Sequence, residues 1–133
     1  MNWKEWAGYY AVSSYNIHHD SEYFAFRNAA GLLDITPLFK YSVTGPDAAA
    51  FLSRIMVRNI SKLKVGRVAY CCWCNEDGKV VDDGTVMRRA EDDFFVTSAD
   101  PCYSWFSRFL RGYDVKLVDI SDKVAGLALQ GPT

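Results

Sequence analysis

Two β-prone runs, Val68–Cys74 and Lys79–Arg88, flank the four residues Asn75-Glu76-Asp77-Gly78. Acceptor side chains early and a glycine late, where a positive φ is useful, are turn chemistry, so this stretch commits the middle of the chain to an antiparallel hairpin. An isolated hairpin is marginal in water and needs more strands or a helix layer against one face. The rest of the sequence must therefore supply a layered partner.

It does so with a mixture of elements. His19-Asp20-Ser21-Glu22 predicts a helix capped by Asp20 or Ser21 and ended by Gly31, with Tyr23, Phe24, Phe26 and Ala30 as its apolar stripe. Leu32 to Val43 reads as strand, interrupted by Pro37, which cannot donate to a ladder. Thr44-Gly45-Pro46-Asp47 turns into a second helix reaching Met56, with Pro46 in its first position. Phe94–Thr97 predicts another strand. After Ser98-Ala99-Asp100-Pro101 an amphipathic helix carries Trp105, Phe106, Phe109 and Leu110 and stops near Gly112. Val115–Val118 and Val124–Leu129 are the last strands, and residues 1–19 are aromatic and polar without clear periodicity. The predicted class is α+β, an antiparallel sheet with flanking helices.

A short internal echo adds to this. Val43-Thr44-Gly45-Pro46-Asp47 leads from strand to helix, and Leu129-Gln130-Gly131-Pro132-Thr133 repeats strand, Gly-Pro and turn residue at the end of the sequence. The second copy stops where its helix would start, so the chain is expected to be a piece of a larger protein with a second, similar unit.

Composition narrows the function classes. Fifteen basic against 16 acidic residues give a net charge of −1, without the electrostatic footprint of a nucleic-acid binder or an anionic-membrane binder. No apolar run approaches the roughly 20 residues of a membrane span, and Met1-Asn2-Trp3-Lys4-Glu5-Trp6 lacks a secretory hydrophobic stretch, so a cytoplasmic location is expected. Of Cys71, Cys72, Cys74 and Cys102, three crowd one strand, where alternation sends Cys72 and Cys74 to one face and Cys71 to the other; they read as reduced thiols used for packing.

The chemistry concentrates on the second hairpin strand. In Val80-Val81-Asp82-Asp83-Gly84-Thr85-Val86-Met87, alternation groups Asp83 with Val81, Thr85 and Met87, and Asp82 with Val80, Gly84, Val86 and Arg88. One carboxylate must sit among apolar neighbours, as a structural acceptor or a functional group. With Asn75–Gly78 as the whole loop, Cys74 pairs with Lys79 and Tyr70 falls directly opposite Asp83, so a phenol and a carboxylate converge to grip a flat heterocycle bearing N–H groups. Other groups point to structure. His18-His19 reads as a solvated pair, Glu91-Asp92-Asp93 as an exposed turn, and Arg88-Arg89 as a solvated strand end, with contact to the anionic tail of a ligand as the alternative for either arginine; Trp105, Phe106 and Phe109 read as core.

Four segments then carry a family likeness. Ala30-Gly31-Leu32-Leu33-Asp34-Ile35, Val43-Thr44-Gly45-Pro46-Asp47-Ala48, Asn75-Glu76-Asp77-Gly78 followed by Val81-Asp82-Asp83, and Leu127-Ala128-Leu129-Gln130-Gly131-Pro132 occur in an order and spacing that resembles the N-terminal part of the glycine-cleavage T-protein (aminomethyltransferase) family. The resemblance implies tetrahydrofolate-dependent one-carbon transfer, in which an aminomethyl group on a lipoyl carrier protein gives its carbon to folate. It also implies a ferredoxin-like half of a duplicated fold: residues 1–43 contribute to a first subdomain, 44–122 form the ferredoxin-like subdomain, and 123–133 start the second repeat. By position Asp83 matches the aspartate beside the reactive folate nitrogens, Tyr70 an aromatic folate contact, Leu38 a pocket-lining position usually held by Met, and Thr85 and Ser98 neighbouring pocket positions. Two departures, Asp34-Ile35-Thr36-Pro37-Leu38 for the usual Asp-Val-Ser-His-Met and Gly84 for a bulky apolar residue, are expected to reshape the pocket. They are similar to relatives that demethylate dimethylglycine, dimethylsulfoniopropionate or methoxy-aromatics. Two readings from other classes remain, a non-catalytic folate-binding scaffold and a domain that self-associates through an open sheet edge.

Overall fold

The computed structural model describes residues 2–133. In chain order the elements are β1 (Asn2–Trp6), β2 (Tyr9–Ser14), α1 (Asp20–Asn28), β3 (Gly31–Asp34), β4 (Phe39–Thr44), α2 (Ala48–Ile55), β5 (Val68–Cys74), β6 (Val80–Ala90), β7 (Asp93–Ser98), α3 (Tyr103–Ser107), β8 (Lys116–Asp119) and β9 (Leu127–Gln130). They form two compact units, Phe39–Ser121 and residues 2–38 with Asp122–Thr133. The boundary anticipated between residues 43 and 44 thus falls before β4, because β4 is hydrogen-bonded on both sides within the first of these units.

That unit is a five-stranded antiparallel sheet in the order β5-β6-β7-β4-β8. β4 and β6 both run antiparallel to β7, which lies between them. With α2 following β4, this is a split β-α-β arrangement; β7, α3 and β8 make a second one around β4, and the interlocked pair is ferredoxin-like. β5 is added at the edge. Helix α2 forms because Ala48-Ala49-Ala50 are good helix formers and Phe51, Leu52 and Ile55 share one face. It starts at Ala48, after Asp47, so Pro46 precedes the helix instead of opening it. The Asp47 carboxylate accepts the backbone N–H of Asp114 at 2.9 Å, tying the helix start to the approach to β8.

The core lies between the helices and one sheet face. Tyr41, Val43, Phe51, Leu52, Trp73, Val86, Phe94, Val96 and Phe106 are fully or almost fully buried, and Phe106 of α3 meets Trp73 edge-on with ring centroids 5.1 Å apart. α3 is shorter than its amphipathic pattern suggests. Beyond Ser107 the backbone tightens, with Phe109 N–H donating to Phe106 carbonyl three residues back.

In the other unit β1 and β2 form a hairpin through Ala7-Gly8, both at positive φ, and the Glu5 carboxylate accepts the Gly8 N–H at 2.7 Å. The sequence pattern concealed it because aromatic residues occupy both faces of the ribbon. α1 begins after His19 without a side-chain cap and ends at Asn28, so neither Asp20 nor Ser21 caps it. Ser21 instead accepts from the Asn16 side chain, and Glu22 accepts the N–H groups of Tyr15 and Asn16. No residue of α1 is buried, so the expected stripe covers nothing fully. Gly31 starts β3 because the ring of Phe26 stands where its side chain would be, 2.6 Å from an ideal Cβ. Pro37 divides the anticipated strand into β3, which pairs antiparallel with β9, and β4. The Gly-Pro echo has a geometric basis. Gly45 and Gly131 both have positive φ, and a Cβ on either would strike a backbone carbonyl, that of Asp114 at 2.4 Å or Ala29 at 2.1 Å.

Candidate functional site

The β5–β6 register differs from the expected one. Cys72 lies opposite Asp83 and Tyr70 opposite Thr85. The cause is twofold. Cys74 pairs with Val80, leaving five loop residues, and the Asn75 side chain accepts the N–H groups of Asp77 and Lys79 to stabilise that longer turn. A bulge between Trp73 and Cys74 then adds a second one-residue shift. Two such shifts restore parity, so Tyr70 and Asp83 stay on the same face as diagonal neighbours. The Tyr70 hydroxyl donates to Asp83 Oδ2.

This pair occupies the sheet face away from α2 and α3. Tyr70 is 65% exposed and Asp83 half-buried. Accepting the hydrogen bond makes the carboxylate hold the phenolic proton, which raises the Tyr70 pKa above its ordinary value; the negative charge of Asp83 acts in the same direction. Tyr70 is therefore the donor throughout the neutral range. Thr85 shares this face, its hydroxyl 2.7 Å from that of Thr97 on β7, and Thr97 also accepts the Thr85 N–H at 3.0 Å.

Asp82 is the carboxylate that turns inward. It is 7% exposed on the core face, where Oδ1 accepts the Asp83 N–H at 2.7 Å and Oδ2 accepts the Asp100 N–H at 2.9 Å and the Cys102 thiol at 3.5 Å. Burial, with the Asp82 charge beside it, pushes the Cys102 thiol up to about 12, so it remains a donor. Three donors offset the desolvation of a carboxylate that has no salt-bridge partner among the described residues.

Other anticipated site residues fall elsewhere. Ser98 is 1% exposed on the core face, donating to the Asp100 carbonyl at 2.7 Å, so alternation sets it across the sheet from Asp83 instead of beside it. Leu38 belongs to the other unit, in the turn after β3, with its N–H on the Ile35 carbonyl at 3.1 Å. Gly84 does not shape the Tyr70–Asp83 face either. A Cβ there would lie 1.8 Å from the Thr97 carbonyl oxygen, so glycine is what lets β7 approach β6. Arg88 is buried and already occupied by the carbonyls of Leu63 and Glu91 at 2.8 and 2.7 Å, and Arg89 is bonded to Asp93 at 2.6 Å. Arg89, exposed near the end of β6, is the anticipated solvated strand end, and Arg88 is not.

All four cysteines are free thiols, and among the described residues no three His, Cys, Asp or Glu side chains gather as a metal set. No helix among those residues is long and apolar enough to cross a membrane. A cleft of about 340 Å³ in the unit containing β1 is lined by Trp3, Trp6, Tyr10, Leu33 and Pro37 and holds none of the Tyr70–Asp83 chemistry.

Comparison with known proteins identifies the family and the fold. The family model described as the GCVT N-terminal domain matches residues 1–133. An aminomethyltransferase of Clostridium botulinum (strain ATCC 19397 / Type A) is 40% identical over 115 residues, covering 84% of this chain and 31% of that protein. One from Bacillus cytotoxicus is 38% identical with the same coverage. The crystal structure of glycine cleavage system aminomethyltransferase T from Bartonella henselae superposes with a TM-score of 0.89 at 27% identity, over 98% of this chain and 37% of that one. The chain thus spans about a third of the length of these relatives.

Proposed function

The chain belongs to the GCVT N-terminal domain family, and we propose that it is the tetrahydrofolate-contacting part of an aminomethyltransferase of the glycine-cleavage T-protein type. The observation that carries this reading is the hydrogen-bonded Tyr70–Asp83 pair on the helix-free side of the sheet. A reduced pterin is flat and bears N–H groups, and it suits an exposed tyrosine ring next to an acceptor-only carboxylate. Bound tetrahydrofolate would supply the nucleophilic nitrogen that receives the one-carbon unit.

In this proposal Asp83 takes a proton from the bound heterocycle or steadies the positive charge that develops beside it, and its carboxylate is directed by the Tyr70 hydroxyl. Tyr70 packs on the heterocycle, and the Thr85–Thr97 hydroxyl pair borders it with further donors and acceptors. Ser98 is left out, since it lies on the core face. The donor is proposed to be an aminomethyl group on a lipoyl carrier, whose carbon passes to folate while its nitrogen leaves as ammonia and its sulfur returns to the thiol.

The test uses a protein extended to the length of the relatives. Asp83→Asn should leave tetrahydrofolate binding by calorimetry nearly intact while lowering turnover by about 10² to 10⁴-fold, the range for loss of a positioned acid or base. Unchanged turnover would reject the catalytic role, and absence of tetrahydrofolate binding by the unmodified protein would reject the folate assignment.

A further inference from the structure

The segment 82–85 is where β6 stops using ordinary ladder bonds toward β7. Pairing of the two strands begins only at Val86↔Val96. One residue earlier the Thr85 N–H goes to the Thr97 hydroxyl instead of to a carbonyl, and two residues before that the Asp83 N–H goes to the Asp82 carboxylate. The same carboxylate reaches across with its second oxygen to the Asp100 N–H in the loop following β7. One buried side chain therefore replaces the missing rungs: it holds the Asp83 backbone on one oxygen and the neighbouring loop on the other. Gly84 permits this, since any Cβ there would meet the Thr97 carbonyl.

We infer that Asp82 is a positioning residue for Asp83: its Oδ1 bond to the Asp83 N–H, braced by the Oδ2 bond to the Asp100 N–H, sets the backbone from which the Asp83 carboxylate meets Tyr70. This rests on the proposed role of Asp83 for its functional meaning, although the geometry is independent of any ligand. The paired carboxylates thus divide the work. Asp83 faces the site, and Asp82, buried on the opposite face with three donors around it, is out of a substrate's reach and acts through its neighbour. Asparagine cannot substitute fully. It presents one acceptor and one NH₂ donor, and a donor set against either backbone N–H removes one of the two bonds.

The test reads the Tyr70–Asp83 hydrogen bond directly, as the ¹³Cζ chemical shift of labelled tyrosine at neutral pH, with Tyr70 assigned through Tyr70→Phe. Asp83→Ala, which removes the acceptor, defines the shift of the uncoupled phenol. Asp82→Asn should move Tyr70 at least half as far in that direction. Ser98→Ala, which loosens the same loop through the Asp100 carbonyl without touching the Asp83 N–H, should leave it in place. A folded Asp82→Asn protein with the unmodified Tyr70 shift overturns the inference, as does an equal shift in Ser98→Ala, which would mean general loosening. Where Asp82→Asn does not fold, hydrogen exchange of the unmodified protein decides: slow exchange of the Asp83 amide supports the bond, and solvent-like exchange refutes it. In the extended protein the same substitution should lower kcat with little change in KM. Since the NMR reading needs no folate, it stands or falls separately from the folate assignment.

Discussion

Replacing Gly84 by alanine tests the packing account of the β6–β7 junction most severely. An ideal Cβ at residue 84 would lie 1.8 Å from the Thr97 carbonyl oxygen and 2.8 Å from its carbon, against about 3.4 Å for ordinary contact. Both atoms are backbone, so no rotamer change relieves the clash, and β7 must retreat by about 1.6 Å at a point where Ser98 anchors the following loop. Overpacking typically costs about 1–3 kcal/mol, and a clash with backbone belongs at or above the top of that range. A loss of about 3 kcal/mol is a large fraction of the roughly 5–15 kcal/mol that holds a domain folded. With a urea slope of about 1 kcal/mol/M for a small unit, the midpoint should fall by about 2–3 M, and the melting temperature by about 12 °C or more. Gly78→Ala is the control. Gly78 has φ +76 with nothing within 4 Å of its notional Cβ, so only the left-handed backbone penalty of about 1–2 kcal/mol applies. A Gly84→Ala midpoint equal to or above that of Gly78→Ala would refute the argument.

Three further outcomes are expected. In the extended protein Tyr70→Ala should weaken tetrahydrofolate binding about three- to tenfold by calorimetry, the worth of one aromatic packing contact, while folding stability stays within about 0.5 kcal/mol because Tyr70 is largely exposed. With a thiol-alkylating reagent at pH 8, mass spectrometry should find Cys72 and Cys74 modified well before buried Cys71 and Cys102. Cys102 also contributes to alkaline instability. Its folded pKa of about 12 exceeds its unfolded value of 9.0, so between these values the unfolded chain has lost the proton that the folded one keeps, and stability should decline as pH rises through that window. Urea midpoints for the unmodified protein and Cys102→Ala should converge as pH increases above 9.

Period-two alternation alone separated Asp83, Thr85 and Met87 from Asp82, Val86 and Arg88, because side-chain direction in a strand is a local property of the backbone, whereas Tyr70 came to Asp83's side through a register that two one-residue shifts left with the same parity. The turn composition, the α+β class and the repeated strand-Gly-Pro junction were legible for the same reason. What alternation could not say is which face the helices cover. Packing of α2 and α3 decided that, making Asp82 the buried carboxylate and Ser98 a core residue. Nor could it count the loop: the fifth turn residue and the bulge at Trp73/Cys74 depend on hydrogen bonds from Asn75 and on the twist of the finished hairpin. The meaning of Gly84 likewise exists only once Thr97 of β7, thirteen residues on in sequence, has come to lie against it. Local stereochemistry is written residue by residue, whereas register, burial and close approach belong to pairs of segments, and only the assembled chain brings those pairs together.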